Sequence, residues 1–155
     1  MGRKSVKENK NVYQLSREAA GMTREEASEA MYISADRIEK LESEKLSAHP
    51  EDILAMSECY KDATLCNYYC SHECPIGQKY VPSLEVKDIA QITLELLNSL
   101  NTLDKLKNRM IEITVDGKIE EDEKKDFNVI YDELNEVMKT VQTLRMWIEH
   151  VNMNA

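Results

Sequence analysis

One run of apolar residues constrains this chain more than any other feature. Phe127, Ile130, Leu134, Val137, Val141, Leu144, Ile148 and Val151 follow one another in alternating steps of three and four. A 3.5-residue repeat held over more than three heptads is the pattern of a long helix packed lengthwise on others. Ile89, Ile92, Leu96, Leu103, Leu106, Met110 and Ile113 are spaced in a similar heptad-like way, and Asp116-Gly117 separates the two runs. Two long helices joined by a short turn fold back antiparallel, so residues 84–155 are expected to form a long helical hairpin. Leu97, Leu100, Tyr131, Met138 and Trp147 lie off the seam and widen the apolar stripe. A lone hairpin cannot cover that much apolar surface. Docking on the rest of the chain or on a second copy would, and a homodimer through the hairpin is expected.

The first half reads as shorter helices. Val12, Leu15 and Ala19 have helical spacing before Gly21, a C-terminal stop. Thr23 with Glu26 three residues on is the capping-box pattern and opens a second helix at about 24–31. Ser34 opens a third, with Ile38 and Leu41 inward, after a joint short enough for a helix-turn-helix. Pro50 suits the first turn of a fourth, with Ile53, Leu54 and Met56 as its apolar side. Residues 61–74 form a fifth short helix or compact loop, ended by Pro75 and Gly77. Among 155 residues only 4 are Gly and 3 are Pro, too few for many tight turns between strands. The expected class is all-α: a basic flexible tail at 1–10, a five-helix helix-turn-helix domain at 11–77, a linker at 78–83 and the hairpin at 84–155.

Met22 to Glu42 reads MTREEASEAMYISADRIEKLE. Met22, Thr23, Glu25, Glu26, Ile33, Ser34, Ile38, Leu41 and Glu42 follow without a gap the pattern of the lambda-repressor-like, xenobiotic-response-element type of helix-turn-helix regulators, which about residues 11–60 resemble. The resemblance implies that the third helix lies in the major groove of double-stranded DNA. Ser34, Ala35, Asp36 and Arg37 would then face base edges, with Lys40 one turn later, and Thr23 and Arg24 would touch phosphate. The chain departs from the family pattern at two turns. Tyr32 stands where glycine is usual, and Ser43-Glu44 where a glycine follows Leu-Glu.

Charge opens a second reading. The net charge is -9. Residues 11–58 carry five Lys/Arg against eleven acids, and residues 83–155 nine against fifteen, whereas residues 1–10 are net +3. Phosphate contacts dominate DNA affinity, so a module this acidic starts in a repulsive field, with Asp36 and Glu39 on the third helix itself. Asp36 could still accept a hydrogen bond from cytosine, and the basic tail could reach phosphates. Two functions stand side by side: a dimeric, sequence-specific DNA-binding transcriptional regulator, and a protein-interaction or adaptor module that kept the fold and lost DNA.

Cys59, Cys66, Cys70 and Cys74 lie within sixteen residues, with His72 among them. Their spacing matches no common Cys-x2-Cys zinc pair. On a helix Cys66 and Cys70 share a face, and Cys74 lies about 12 Å beyond Cys66. Small apolar filling of a core and a zinc or iron–sulfur site are both open; no cofactor is otherwise expected. Glu112 to Glu123 has a weak likeness to a calcium-binding loop, and a plain helix–helix turn is the preferred reading. No nucleophile–base set, glycine-rich phosphate loop or His-Glu metal helix is present, so an enzyme is not expected. No apolar run approaches the roughly 18 residues of a membrane span, and MGRKSVKENK lacks the apolar core of a secretory signal. A cytoplasmic location, with reduced cysteines, follows as an expectation.

Overall fold

A computed structural model describes residues 9–155, which form eight helices and no strand, the expected all-α class. Two compact units divide the chain: one holds the residues up to Ser83 together with Ile148–Ala155, the other Leu84–Trp147. The expected basic tail lies outside the described residues except at its end, where Lys10 pairs with Glu18 at 2.5 Å. No described helix is long and apolar enough to cross a membrane.

The first unit is built from α1 (Val12–Ala19), α2 (Arg24–Met31), α3 (Ala35–Glu42), α4 (Pro50–Tyr60), α5 (Thr64–His72) and α6 (Pro75–Tyr80). Local chemistry sets where they start. The Asn11 side chain accepts from the Gln14 amide at 3.0 Å, and Thr23 and Glu26 complete a reciprocal capping box. Ser34 accepts from the Arg37 amide, and Asp52 from the His49 amide. Buried Ala27, Ile38, Leu41, Ile53, Met56 and Leu65 then hold α2 to α5 around one core.

Three sequence expectations need correction here. The spacing of Val12, Leu15 and Ala19 does not mark the inner face of α1. Tyr13 and Arg17 are buried there, while Leu15 and Ala19 are exposed, because an ion pair and a tyrosine ring rather than aliphatic groups fill that side. On α4, Leu54 points outward beside buried Ile53 and Met56. Pro75 and Gly77 do not end the helical part but form a sixth helix: Pro75 needs no amide partner in a first turn, and the Cys74 sulfur accepts from the Gly77 amide at 3.4 Å. The segment 78–83 thus carries the last turn of α6 before the chain leaves helical geometry at Val81.

The second unit pairs α7 (Ile89–Thr114) with α8 (Lys124–Asn154) up to Trp147. Asp88 caps α7 through the Gln91 amide at 2.9 Å. Between the helices Gly117 takes φ +75°, a left-handed conformation that suits glycine, and Asp116 accepts from the Lys118 amide at 3.0 Å. The Arg109 guanidinium meets Asp126 across the helix pair at 2.7 Å.

The apolar stripe of α8 does not act as one seam. Ile130 is buried and Val137 and Leu144 are half-buried, but Leu134 and Val141 are exposed. A helix of 3.6 residues per turn drifts against a 3.5 repeat, and Thr140 and Thr143 take the inward places instead. Their hydroxyls donate to the Glu136 and Lys139 carbonyls at 2.9 Å, which satisfies them within the helix. Beside them, Glu95, Ser99, Glu133, Glu136, Lys139 and Thr140 line a polar cleft of about 270 Å³.

Candidate nucleic-acid interface

The residues from Thr23 to Glu42 form a helix, a tight turn and a second helix. Tyr32 closes α2 with φ 57° and ψ 29°, so the turn keeps left-handed geometry although the residue is not glycine. Glu44 does the same after α3, with φ 59°, so both residues take the left-handed conformation that glycine adopts most readily. Left-handed conformation costs a residue with a Cβ about 1–2 kcal/mol. The Tyr32 side chain makes no use of burial to offset this; it is 96% exposed.

The expected contact residues do not behave alike. Ser34 and Thr23 are N-caps whose side-chain oxygens are engaged by the amides of their own helices. Ala35 is half-buried at the start of α3. Asp36 is exposed and pairs with Lys40 one turn on at 2.6 Å. Arg37 turns away from the open face and grips Asp52 of α4 with two hydrogen bonds, 3.0 and 2.7 Å. Arg24 donates to Glu42 at 2.8 Å. The structure thus brings Ser34, Ala35, Asp36 and Lys40 together on α3, and commits Arg24 and Arg37 to partners within the domain.

Glu42 is the centre of this wiring. Its side chain is 1% exposed and receives Arg17 through Nε at 2.6 Å and through a second nitrogen at 3.0 Å, besides Arg24. Arg17 also donates to the Met22 carbonyl at 2.6 Å. Burial works most strongly against the Arg17 charge, but the hydrogen bond to Glu42 and the attraction of its carboxylate together prevail and raise the guanidinium above its ordinary value. One carboxylate therefore ties α1, the entry to α2 and α3 into a fixed arrangement. Sequence reading missed it, since charged residues on short helices are ordinarily assigned to solvent.

Asp52 gives a pH-dependent counterpart. Burial opposes its ionisation, yet hydrogen bonds from Arg37 and from the His49 amide prevail and its carboxyl titrates below the ordinary range. A carboxyl lowered by folding adds stability above its unfolded value, about 3.9, and loses it as pH falls through the folded value. Asp52→Asn should therefore weaken the domain at pH 6–7, and the gap from wild type should narrow as pH falls toward 3. Urea unfolding at several pH values measures this; a gap constant with pH would refute it.

The four cysteines are not gathered. Cys59 faces the Met22 sulfur at 3.7 Å, Cys66 packs against the core, and Cys74 caps α6. Burial raises the Cys59 and Cys70 thiols. Among the described residues no three His, Cys, Asp or Glu side chains converge as metal ligands, so the arrangement does not supply the zinc or iron–sulfur set weighed as the alternative for Cys59, Cys66, Cys70 and Cys74. Nor does it offer a calcium loop: Glu112 pairs with Arg109, and Glu123 accepts from the Glu120 amide.

Comparison with known proteins agrees with the geometry. No curated protein and no solved structure matches the chain. Residues 14–57 match the sequence profile of a helix-turn-helix domain family, a stretch that contains α2, the Tyr32 turn and α3. This chain carries a helix-turn-helix domain in its first unit.

Proposed function

We propose that the protein is a sequence-specific, DNA-binding transcriptional regulator that works as a dimer, with α3 as its recognition helix. The observation that supports this best is the intact helix-turn-helix backbone, which leaves Ser34, Asp36, Glu39 and Lys40 on the open side of α3. In this geometry the start of the second helix addresses base edges in the major groove. Asp36 suits a cytosine amino group as acceptor, and Lys40 would leave Asp36 for a phosphate. Arg24 and Arg37 act differently from the first expectation: they hold the reading helix in place through Glu42 and Asp52, and their loss would be felt as misplacement.

The test is capture of genomic fragments by the purified protein near physiological salt, followed by sequencing. A recurring site, palindromic for a dimer, is the expected result. On that site Lys40→Ala should lower affinity and reduce the slope of log K against log salt by about 0.9, one phosphate's worth. No enriched site would overturn the regulator reading.

A second reading is favoured by one observation. The cations of α2 and α3 meet acids of the same domain: Arg24 with Glu42, Arg37 with Asp52, and Lys40 with Asp36. A protein-interaction or adaptor role needs no positive field, and an empty genomic capture would leave it as the reading of choice.

A further inference from the structure

A cleft of about 470 Å³ opens in the first unit between the start of α1, the loop after α3 and the α5 helix. Tyr13, Tyr68 and Tyr69 line it together with Glu44 and Glu73. Its size falls within the range of small-molecule sites, about 300–1,000 Å³. The aromatic wall is held in place from several sides. The Tyr13 and Tyr68 rings meet at 87° with their centroids 6.2 Å apart, and His72 stacks on Tyr68 at 4.5 Å. The Tyr13 hydroxyl donates to Glu73 at 2.7 Å, which fixes that carboxylate beside the rings.

The charge of this cleft is one-sided. Tyr13 engages Oε1 of Glu73, and Glu44 stands in the left-handed turn after α3. Among the described residues neither carboxylate has an ion-pair partner. This sets them apart from Glu42 and Asp52, whose charges meet arginines. The Tyr68 phenol registers both acids: burial first, then the carboxylates of Glu73 and Glu44, raise it above its ordinary value. Three rings with electron-rich faces and two carboxylates therefore converge with no cation of the described chain to answer them.

We propose that this cleft binds a small organic cation, an alkylated ammonium, between the tyrosine rings and the Glu44 and Glu73 carboxylates. Aromatic rings attract a cation placed over their faces, and the attraction grows where water is excluded. A metal ion is a poorer fit. It needs several ligand atoms at close range, and among the described residues no three His, Cys, Asp or Glu side chains gather for one. An alkylated ammonium instead spreads its charge over a partly apolar surface, and Val12, Leu46 and Ala48 complete the wall with apolar groups. The site lies beyond the function proposed above and does not rest on it.

Titration of the full chain with choline, followed by calorimetry and proton NMR, tests the proposal. Saturable binding with a Kd of about 0.1–1 mM is expected, and the choline methyl resonance should move upfield as the rings shield it. The neutral alcohol in which carbon replaces the choline nitrogen should bind about ten-fold more weakly or worse, the scale of a cation–π contact partly removed from water. Glu73→Gln keeps an acceptor for Tyr13, and Glu44 is exposed, so the pair Glu44→Gln with Glu73→Gln should leave helical circular dichroism unchanged. That pair should weaken choline by about ten-fold, as the loss of two nearby charges requires. Tyr69→Leu should weaken it too and reduce the upfield shift. Glu120→Gln with Asp122→Asn removes as much charge from the exposed hairpin turn and should change nothing. No saturation by about 10 mM choline, equal binding of the neutral alcohol, or equal losses from the two charge pairs would each overturn the proposal. Its failure is separable from that of the regulator reading, because choline binding and capture of DNA fragments are measured apart and either can be found without the other.

Discussion

Glu42→Ala should cost the helix-turn-helix domain about 3–5 kcal/mol, the range for breaking a buried ion pair by removing one partner. The loss is large because it is not the loss of one contact. Arg17 is buried beside Glu42 and keeps its guanidinium in place through that carboxylate and the Met22 carbonyl. Without Glu42 its charge stays in the interior with a single neutral acceptor. Small domains have only about 5–15 kcal/mol in all, so the midpoint of urea unfolding should drop by a large fraction. Arg24→Ala provides the contrast: its side chain is 32% exposed, water can replace the ion pair, and an effect of about 1 kcal/mol or less is expected. If Glu42→Ala unfolds within about 1 kcal/mol of wild type, then the cluster of Arg17, Arg24 and Glu42 does not hold the helices together.

Gly77→Ala should also destabilise, against the usual rule. In an open helix the change gains about 1 kcal/mol. Here a Cβ would stand 2.0 Å from the Cys70 carbonyl oxygen and 2.6 Å from its carbon, atoms of the α5 backbone that no side-chain rotation can move aside. The two helices must separate, and overpacking of this kind costs about 1–3 kcal/mol. Hydrogen exchange should report faster opening of α5 and α6 amides, with the hairpin amides unaffected. A neutral or stabilising result would mean that α6 does not lie against α5 as closely as described.

These two residues also mark what could and could not be read in the chain. Caps were legible because they are local: Thr23 with Glu26, Ser34 and Pro50 each act within a turn of where they stand. The core of α3 was legible from Ile38 and Leu41 alone. Glu42 was not, since its partners lie 25 and 18 residues upstream and periodicity takes no account of charges that bury one another. Gly77 carries two meanings, helix breaker and close-contact site, and only the neighbouring backbone distinguishes them. Which α3 side chains stand open to solvent was legible only in part, for a related reason. Arg37 has the residue type for reading DNA, but Asp52 lies fifteen positions on and claims it. The turns at Tyr32 and Glu44 show the reverse case, in which residues other than glycine still take the left-handed conformation that the turn requires.

The membership of Ile148–Ala155 in the first unit bears on how that unit is made. Asn154 donates to the Lys61 carbonyl across 93 residues of chain. Synthesis delivers α1 to α6 long before their last contributing residues exist, so this domain finishes assembling only after the whole hairpin has been translated. Closing so long a loop costs entropy that grows with the logarithm of its length. A hairpin already zipped from its own turn replaces most of that slack with two fixed helices. The favoured order of events is therefore a partly closed helix-turn-helix domain, then α7 on α8, and last the capture of the final turns of α8.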